Sequence, residues 1–87
     1  RSRGLGDVYK RQVIGIKTRE GRLGEVENGL KKRPEVIAAY EVTGEFDIIV
    51  VGKFKGTIGL ERFIKEVLQW KYVERTTTFV VLNVVKE

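Results

Sequence analysis

The chain has 87 residues, 17 of them Lys or Arg and 12 Asp or Glu, for a formal net charge of +5. It holds no cysteine and no histidine, which excludes disulfides and thiolate metal sites and removes the commonest metal ligand and general base. That length makes one domain, burying only about 60–65% of its unfolded surface, so self-association would add burial that the single chain lacks.

Residues 1–12 hold Arg1, Arg3, Lys10 and Arg11 against Asp7, a net +3, which leaves 13 basic and 11 acidic residues, only +2, for the rest. The body is nearly balanced, with signs interspersed as on a solvated surface. The basic excess is therefore no argument for a DNA-binding face. Residues 1–12 show no apolar periodicity, and the sequence contains no methionine. They are expected to be a tail foreign to the domain, a cloning or sequence-assembly remnant, with the domain itself spanning 13–87.

Val13–Thr18 reads as a short strand. Arg22–Arg33 follows as a helix with Leu23, Val26 and Leu30 on one face. Gly24 and Gly29 weaken it by about 1 kcal/mol each relative to alanine, and Pro34 ends it. Val36–Thr43 and Phe46–Phe54 form a hairpin around Gly44-Glu45, a two-residue connection suited to a type II′ turn because glycine tolerates positive φ at its first central position. That turn sets Thr43 opposite Phe46 and Val42 opposite Asp47. One hairpin face then carries Ile37, Ala39, Glu41, Phe46, Ile48 and Val50; the other carries Val36, Ala38, Tyr40, Val42, Asp47, Ile49 and Val51. Both faces are largely apolar, so each needs a cover: helices on one side, a second subunit on the other.

Gly56-Thr57 opens the second helix, with Thr57 as the expected N-cap and Leu60, Phe63, Ile64, Val67 and Leu68 as its core stripe. Trp70 and Tyr72 lie at its exit, and a last strand is expected from about Val73 to Val85. The order βαββαβ predicts an α+β, ferredoxin-like fold: a four-stranded antiparallel sheet with two helices on one face. Right-handed crossovers place strands one and three in the centre.

Such folds host many functions. RNA recognition would want stacking aromatics on both central strands, and the first has none. Catalysis would want a base, nucleophile or metal set that these scattered carboxylates do not form. Neither an enzyme nor a metal or cofactor site is expected. The Thr43–Asp47 turn is the candidate site: its amides suit an anion and the Asp47 carboxylate a cation, together a zwitterion such as an amino acid. No apolar run approaches the roughly 18 residues of a membrane span and no signal-peptide pattern occurs, so a cytoplasmic location without membrane contact is expected.

The run from Glu35 through Thr43-Gly44-Glu45-Phe46-Asp47 to Val50, followed by Val73-Glu74-Arg75-Thr76-Thr77-Thr78-Phe79-Val80-Val81-Leu82, resembles the C-terminal RAM domain of the Lrp/AsnC family. These are the feast/famine transcription regulators of bacteria and archaea. The resemblance covers about residues 13–86. It implies a dimeric α/β sandwich closed sheet to sheet, assembly into higher homo-oligomers, and a small effector, usually an amino acid, at subunit contacts near the glycine turn. On that basis Thr43, Gly44, Glu45, Asp47 and Thr78 are the expected effector-binding residues, and Tyr40, Val42, Ile49 and Val51 the expected assembly contacts. Complete members carry a helix-turn-helix domain ahead of this one. Only 12 residues precede Val13 here, so the expectation is a chain that reaches DNA only through a domain outside it. The alternatives are a stand-alone assembly module without a ligand and, more remotely, a nucleic-acid-binding domain or a small enzyme.

Overall fold

A computed structural model describes residues 9–87. The elements are β1 (Tyr9–Thr18), α1 (Leu23–Lys31), β2 (Val36–Glu41), β3 (Ile48–Lys55), α2 (Gly56–Leu68) and β4 (Val73–Phe79). The strands form one antiparallel sheet in the order β2-β3-β1-β4, with strands one and three central as the crossover rule requires.

Sequence periodicity decides which face meets the helices. Ile14 stands opposite Val50 and Ile16 opposite Ile48, and all four are fully buried with Phe54, Val26, Leu30, Phe63, Val67 and Val73. The helical stripes supply Val26 and Leu30 from α1 and Phe63 and Val67 from α2. The opposite sheet face pairs Val13 with Val51 and Gly15 with Ile49, and Ile49 in turn with Tyr40. No helix covers that face among the described residues.

Three boundaries differ from expectation. β1 begins at Tyr9, because Tyr9–Gln12 pair with Lys55–Gly52. The uninterrupted polar run Lys10-Arg11-Gln12 hides an ordinary strand from any apolar pattern. Lys10 and Arg11 thus belong to the sheet; residues 1–8, the rest of the expected tail, lie outside the described residues. β4 stops at Phe79 rather than Val85, and beyond it Val81 N–H donates to the Gln12 side-chain Oε1 at 3.3 Å instead of to a ladder carbonyl. Thr57 is not the cap of α2: Lys55 holds that position, without a side-chain cap bond.

From Ala38 to Val42 the hairpin register is the expected one, with Tyr40 opposite Ile49, Glu41 opposite Ile48, and Val42 N–H bonded to the Asp47 carbonyl at 3.0 Å. Between Val36 and Ala38 a bulge shifts it by one residue, so that Val36 stands opposite Gly52 and packs against the helix-side core instead of sharing a face with Ala38 and Tyr40. The tip differs. Among the described residues no backbone bond runs from Phe46 N–H back to Thr43, so residues 43–46 form an open loop rather than a closed II′ turn. Opening lets Phe46 leave its expected face and lie across Gly15, where an added Cβ would sit 2.8 Å from the ring.

Candidate functional site

Gly44 takes φ +107°, the left-handed region that glycine enters without strain. With the tip open, the N–H groups of Thr43, Gly44, Glu45 and Phe46 donate to no backbone carbonyl among the described residues. Successive backbone amides left without a partner are the groups from which anion-binding nests are built. Next to them Asp47 N–H donates to the Ile16 carbonyl at 2.9 Å, tying the loop to the centre of the sheet.

The Asp47 carboxylate is engaged on one side only. Its Oδ2 accepts from Thr18 N–H at 2.8 Å and from Thr18 Oγ1 at 2.9 Å, with Lys17 Nζ at 3.8 Å. The Thr18 N–H, more than any other contact, holds the Asp47 carboxyl below the usual carboxylate range; the Thr18 hydroxyl and Lys17 add to it against partial burial. Oδ1 takes no hydrogen bond among the described residues. Asp47 is thus a clasp between β1 and the loop that retains one free acceptor.

Phe46, half-buried over Gly15, meets Phe79 edge to face with centroids 6.0 Å apart. The Arg75 guanidinium lies 5.5 Å from the Phe46 centroid and 3.6 Å from Glu45 Oε2. Arg75 is the residue that sequence reasoning missed. On a strand it looks like any solvated base, and only the pairing of β4 with β1 brings it to the loop.

The expected site residues divide accordingly. Thr43, Gly44, Glu45 and Asp47 are contiguous at the loop. Thr78 is not with them: it pairs with Ile14, on the helix side of the sheet, whereas Asp47 is bonded at the level of Ile16. In one subunit Thr78 lies two positions along and two strands across from the loop. Tyr40, Ile49 and Val51 share the uncovered sheet face, with Val42 just past the end of β2.

On the helix side, a cleft of about 450 Å³ runs between α1 and the edge strand β2, lined by Leu30, Val36, Ala39, Glu41 and Glu27 among others. A hydrogen bond with Glu41 pushes the Glu27 carboxyl up from its ordinary value. Elsewhere Arg33, stacked 5.8 Å from the Phe63 centroid, bonds Glu35 at 3.1 Å and also pairs with Glu66, joining the α1–β2 connection to α2. Among the described residues no three His, Cys, Asp or Glu side chains are placed to hold a metal ion, and no helix is long and apolar enough to cross a membrane.

The family model for the Lrp/AsnC ligand binding domain matches residues 12–87. An uncharacterised HTH-type transcriptional regulator of Pyrococcus abyssi is 47% identical over 75 residues, which is 86% of this chain and 51% of that protein. The chain therefore spans about half the length of this relative. Escherichia coli AsnC superposes with a TM-score of 0.84 at 22% identity, over 95% of this chain and 56% of that one. The Neisseria meningitidis transcriptional regulator NMB0573, solved as a complex with L-Met, gives a TM-score of 0.82 at 21% identity, over 88% of this chain and 52% of that one. These last two likenesses speak for the ferredoxin-like fold. The family is regulatory rather than enzymatic, and the chain belongs to it: it is an Lrp/AsnC ligand-binding domain.

Proposed function

We propose that this domain is the effector-binding and oligomerisation module of an Lrp/AsnC-type transcription regulator in the cytoplasm, sensing an amino acid at a contact between subunits. DNA is reached through a helix-turn-helix domain outside this chain. The observation that carries the reading is that four loop amides without a backbone partner, at Thr43–Phe46, lead directly into an aspartate whose Oδ1 takes no hydrogen bond among the described residues. The amides receive a carboxylate and Asp47 Oδ1 an ammonium group; Thr78 joins only if a neighbouring subunit delivers it. The L-Met complex of the Neisseria regulator supports an amino acid as ligand class.

Calorimetry against L-methionine and the other nineteen amino acids tests this, with Asp47→Asn alongside. Charge-assisted hydrogen bonds contribute about 1.5–3 kcal/mol, so Asp47→Asn should weaken the ligand that binds by roughly ten- to a hundredfold. Unchanged affinity with an intact oligomer makes Asp47 a clasp only. If none of the twenty binds at millimolar concentration, the domain is an assembly module, a reading favoured by the bonds that Thr18 and Lys17 already make to Asp47.

A further inference from the structure

Trp70 and Tyr72 lie in the turn from α2 into β4, away from both the loop site and the open sheet face. Each is only partly buried against the core. Gly29 admits the edge of the Trp70 ring against α1, since a Cβ there would stand 2.8 Å from it. Between that ring, Tyr72 and the flank of α1 runs a groove of about 500 Å³. That volume lies within the range of about 300–1,000 Å³ that small-molecule sites occupy. None of the groove's residues belongs to the Thr43–Asp47 loop.

The charge around the groove is one-sided. The Arg22 guanidinium lies 4.9 Å from the Tyr72 ring centroid and the Lys71 ammonium 5.4 Å from it. Lys32 lines the groove from α1, three residues beyond Gly29 and so about one helical turn along the same face. All three cations are exposed. Among the described residues none of them is in an ion pair with a carboxylate, whereas Lys17, Arg33 and Arg75 each are. Glu25 is the one carboxylate among the lining residues. Three cations against one carboxylate leave a net +2 beside two aromatic rings.

We propose that this groove binds a planar aromatic ring carrying a phosphate, as in a nucleoside monophosphate, with the ring stacked on Trp70 and the phosphate among Lys32, Lys71 and Arg22.

Both halves of that ligand follow from the groove. An indole offers a stacking surface to any nucleobase, because every base has a π face. A phosphate monoester carries a charge of about −1.5 to −2 at pH 7, which matches the net +2; a carboxylate would leave one cation without a counter-charge. Arg22 and Lys71 are held at Tyr72 by cation–π attraction, which is weak at exposed sites. The Arg22 Nη2 donates to the Tyr72 hydroxyl at 3.3 Å. Both cations can therefore turn to a phosphate without breaking an ion pair, while Tyr72 keeps them at the groove.

Trp70 is the only tryptophan in the sequence, so its fluorescence reports on this groove alone. Titrating the full chain with adenosine monophosphate should quench it saturably, and phenyl phosphate, a ring and a phosphate without the sugar, should do the same. Adenosine, which lacks the phosphate, and ribose 5-phosphate, which lacks the ring, should each bind roughly tenfold more weakly or worse. Lys32→Gln and Lys71→Gln lie at exposed positions and should keep the far-UV spectrum of the folded domain. Each should weaken adenosine monophosphate about fivefold, and Asp47→Asn should leave its affinity unchanged. Ribose 5-phosphate binding as tightly as adenosine monophosphate would mean surface charge alone, and adenosine binding as tightly would mean an aromatic site without an anion. Benzoate matching phenyl phosphate would mean a carboxylate ligand, and unquenched fluorescence would mean no site. Any of these results overturns the inference.

Discussion

Asp47 Oδ2 collects two hydrogen bonds from Thr18, and removing the carboxylate strands both donors. Asp47→Ala should therefore cost about 1.5–3 kcal/mol in urea unfolding. The pH dependence has a definite sign. Asp47 and Glu35 are held below their ordinary values, chiefly by Thr18 N–H and by Arg33. Their contribution is complete above the unfolded carboxylate values, near 4, and disappears as pH falls through the lower folded ones. Glu27 is raised by Glu41, so its contribution is present at low pH and lost as pH rises through its folded value. Stability measured by urea from pH 6 down to pH 2 should fall below about pH 4, and Asp47→Asn should flatten that fall. A slope unchanged in Asp47→Asn would show that the Thr18 bonds contribute nothing. The residue hardest to read from sequence was Arg75, whose meaning depends on Phe46 crossing to the open face.

At the scale of elements, α1 carries two glycines that look equivalent in sequence and are not. A Cβ on Gly24 meets nothing within 4 Å, whereas one on Gly29 lands 2.8 Å from the Trp70 ring. Gly24→Ala should stabilise by about 0.5–1 kcal/mol through helix propensity and a less flexible unfolded chain. Gly29→Ala should destabilise, since overpacking costs about 1–3 kcal/mol and exceeds the propensity gain. Thermal midpoints moving the same way in both variants would refute the Trp70 contact. Element order and hairpin register were legible because apolar alternation and a positive-φ glycine constrain them locally. The strand ends were not. Tyr9–Gln12 is polar yet paired, and Val80–Val85 is apolar yet outside the ladder, because pairing follows the neighbouring strand rather than the hydropathy of the segment.

For the whole molecule, charge and assembly are separate questions. With Lys10 and Arg11 in β1, residues 1–8 hold Arg1, Arg3 and Asp7, a net +1, and residues 9–87 the other +4. Spread over a balanced surface, that excess should give weak duplex-DNA binding without sequence preference. The affinity should collapse between 50 and 200 mM salt, as counterion release demands, at about the concentrations where phosphate contacts are lost. Sequence-selective binding surviving at the higher salt would restore the nucleic-acid reading. Assembly rests on the open sheet face, where Val13, Ile49 and Val51 are only half-buried and Tyr40 is 58% and Phe79 46% exposed. A contiguous apolar face on a small domain marks an interface, and an identical face is its simplest complement, related by a two-fold axis. A stable pair needs about 800 Å² from each partner. Val51 sits on a central strand, opposite both Val13 and Ala38, so Val51→Glu would bury an unpaired carboxylate at the middle of that contact. An isolated buried charge is far more costly than the apolar contact it replaces. Sedimentation at micromolar concentration should show at least a dimer for the unaltered chain. In Val51→Glu the two-fold contact should be lost, with the far-UV spectrum of the folded domain retained. An unaltered chain that sediments as a clean monomer, or a Val51→Glu variant that associates as before, would place the interface elsewhere.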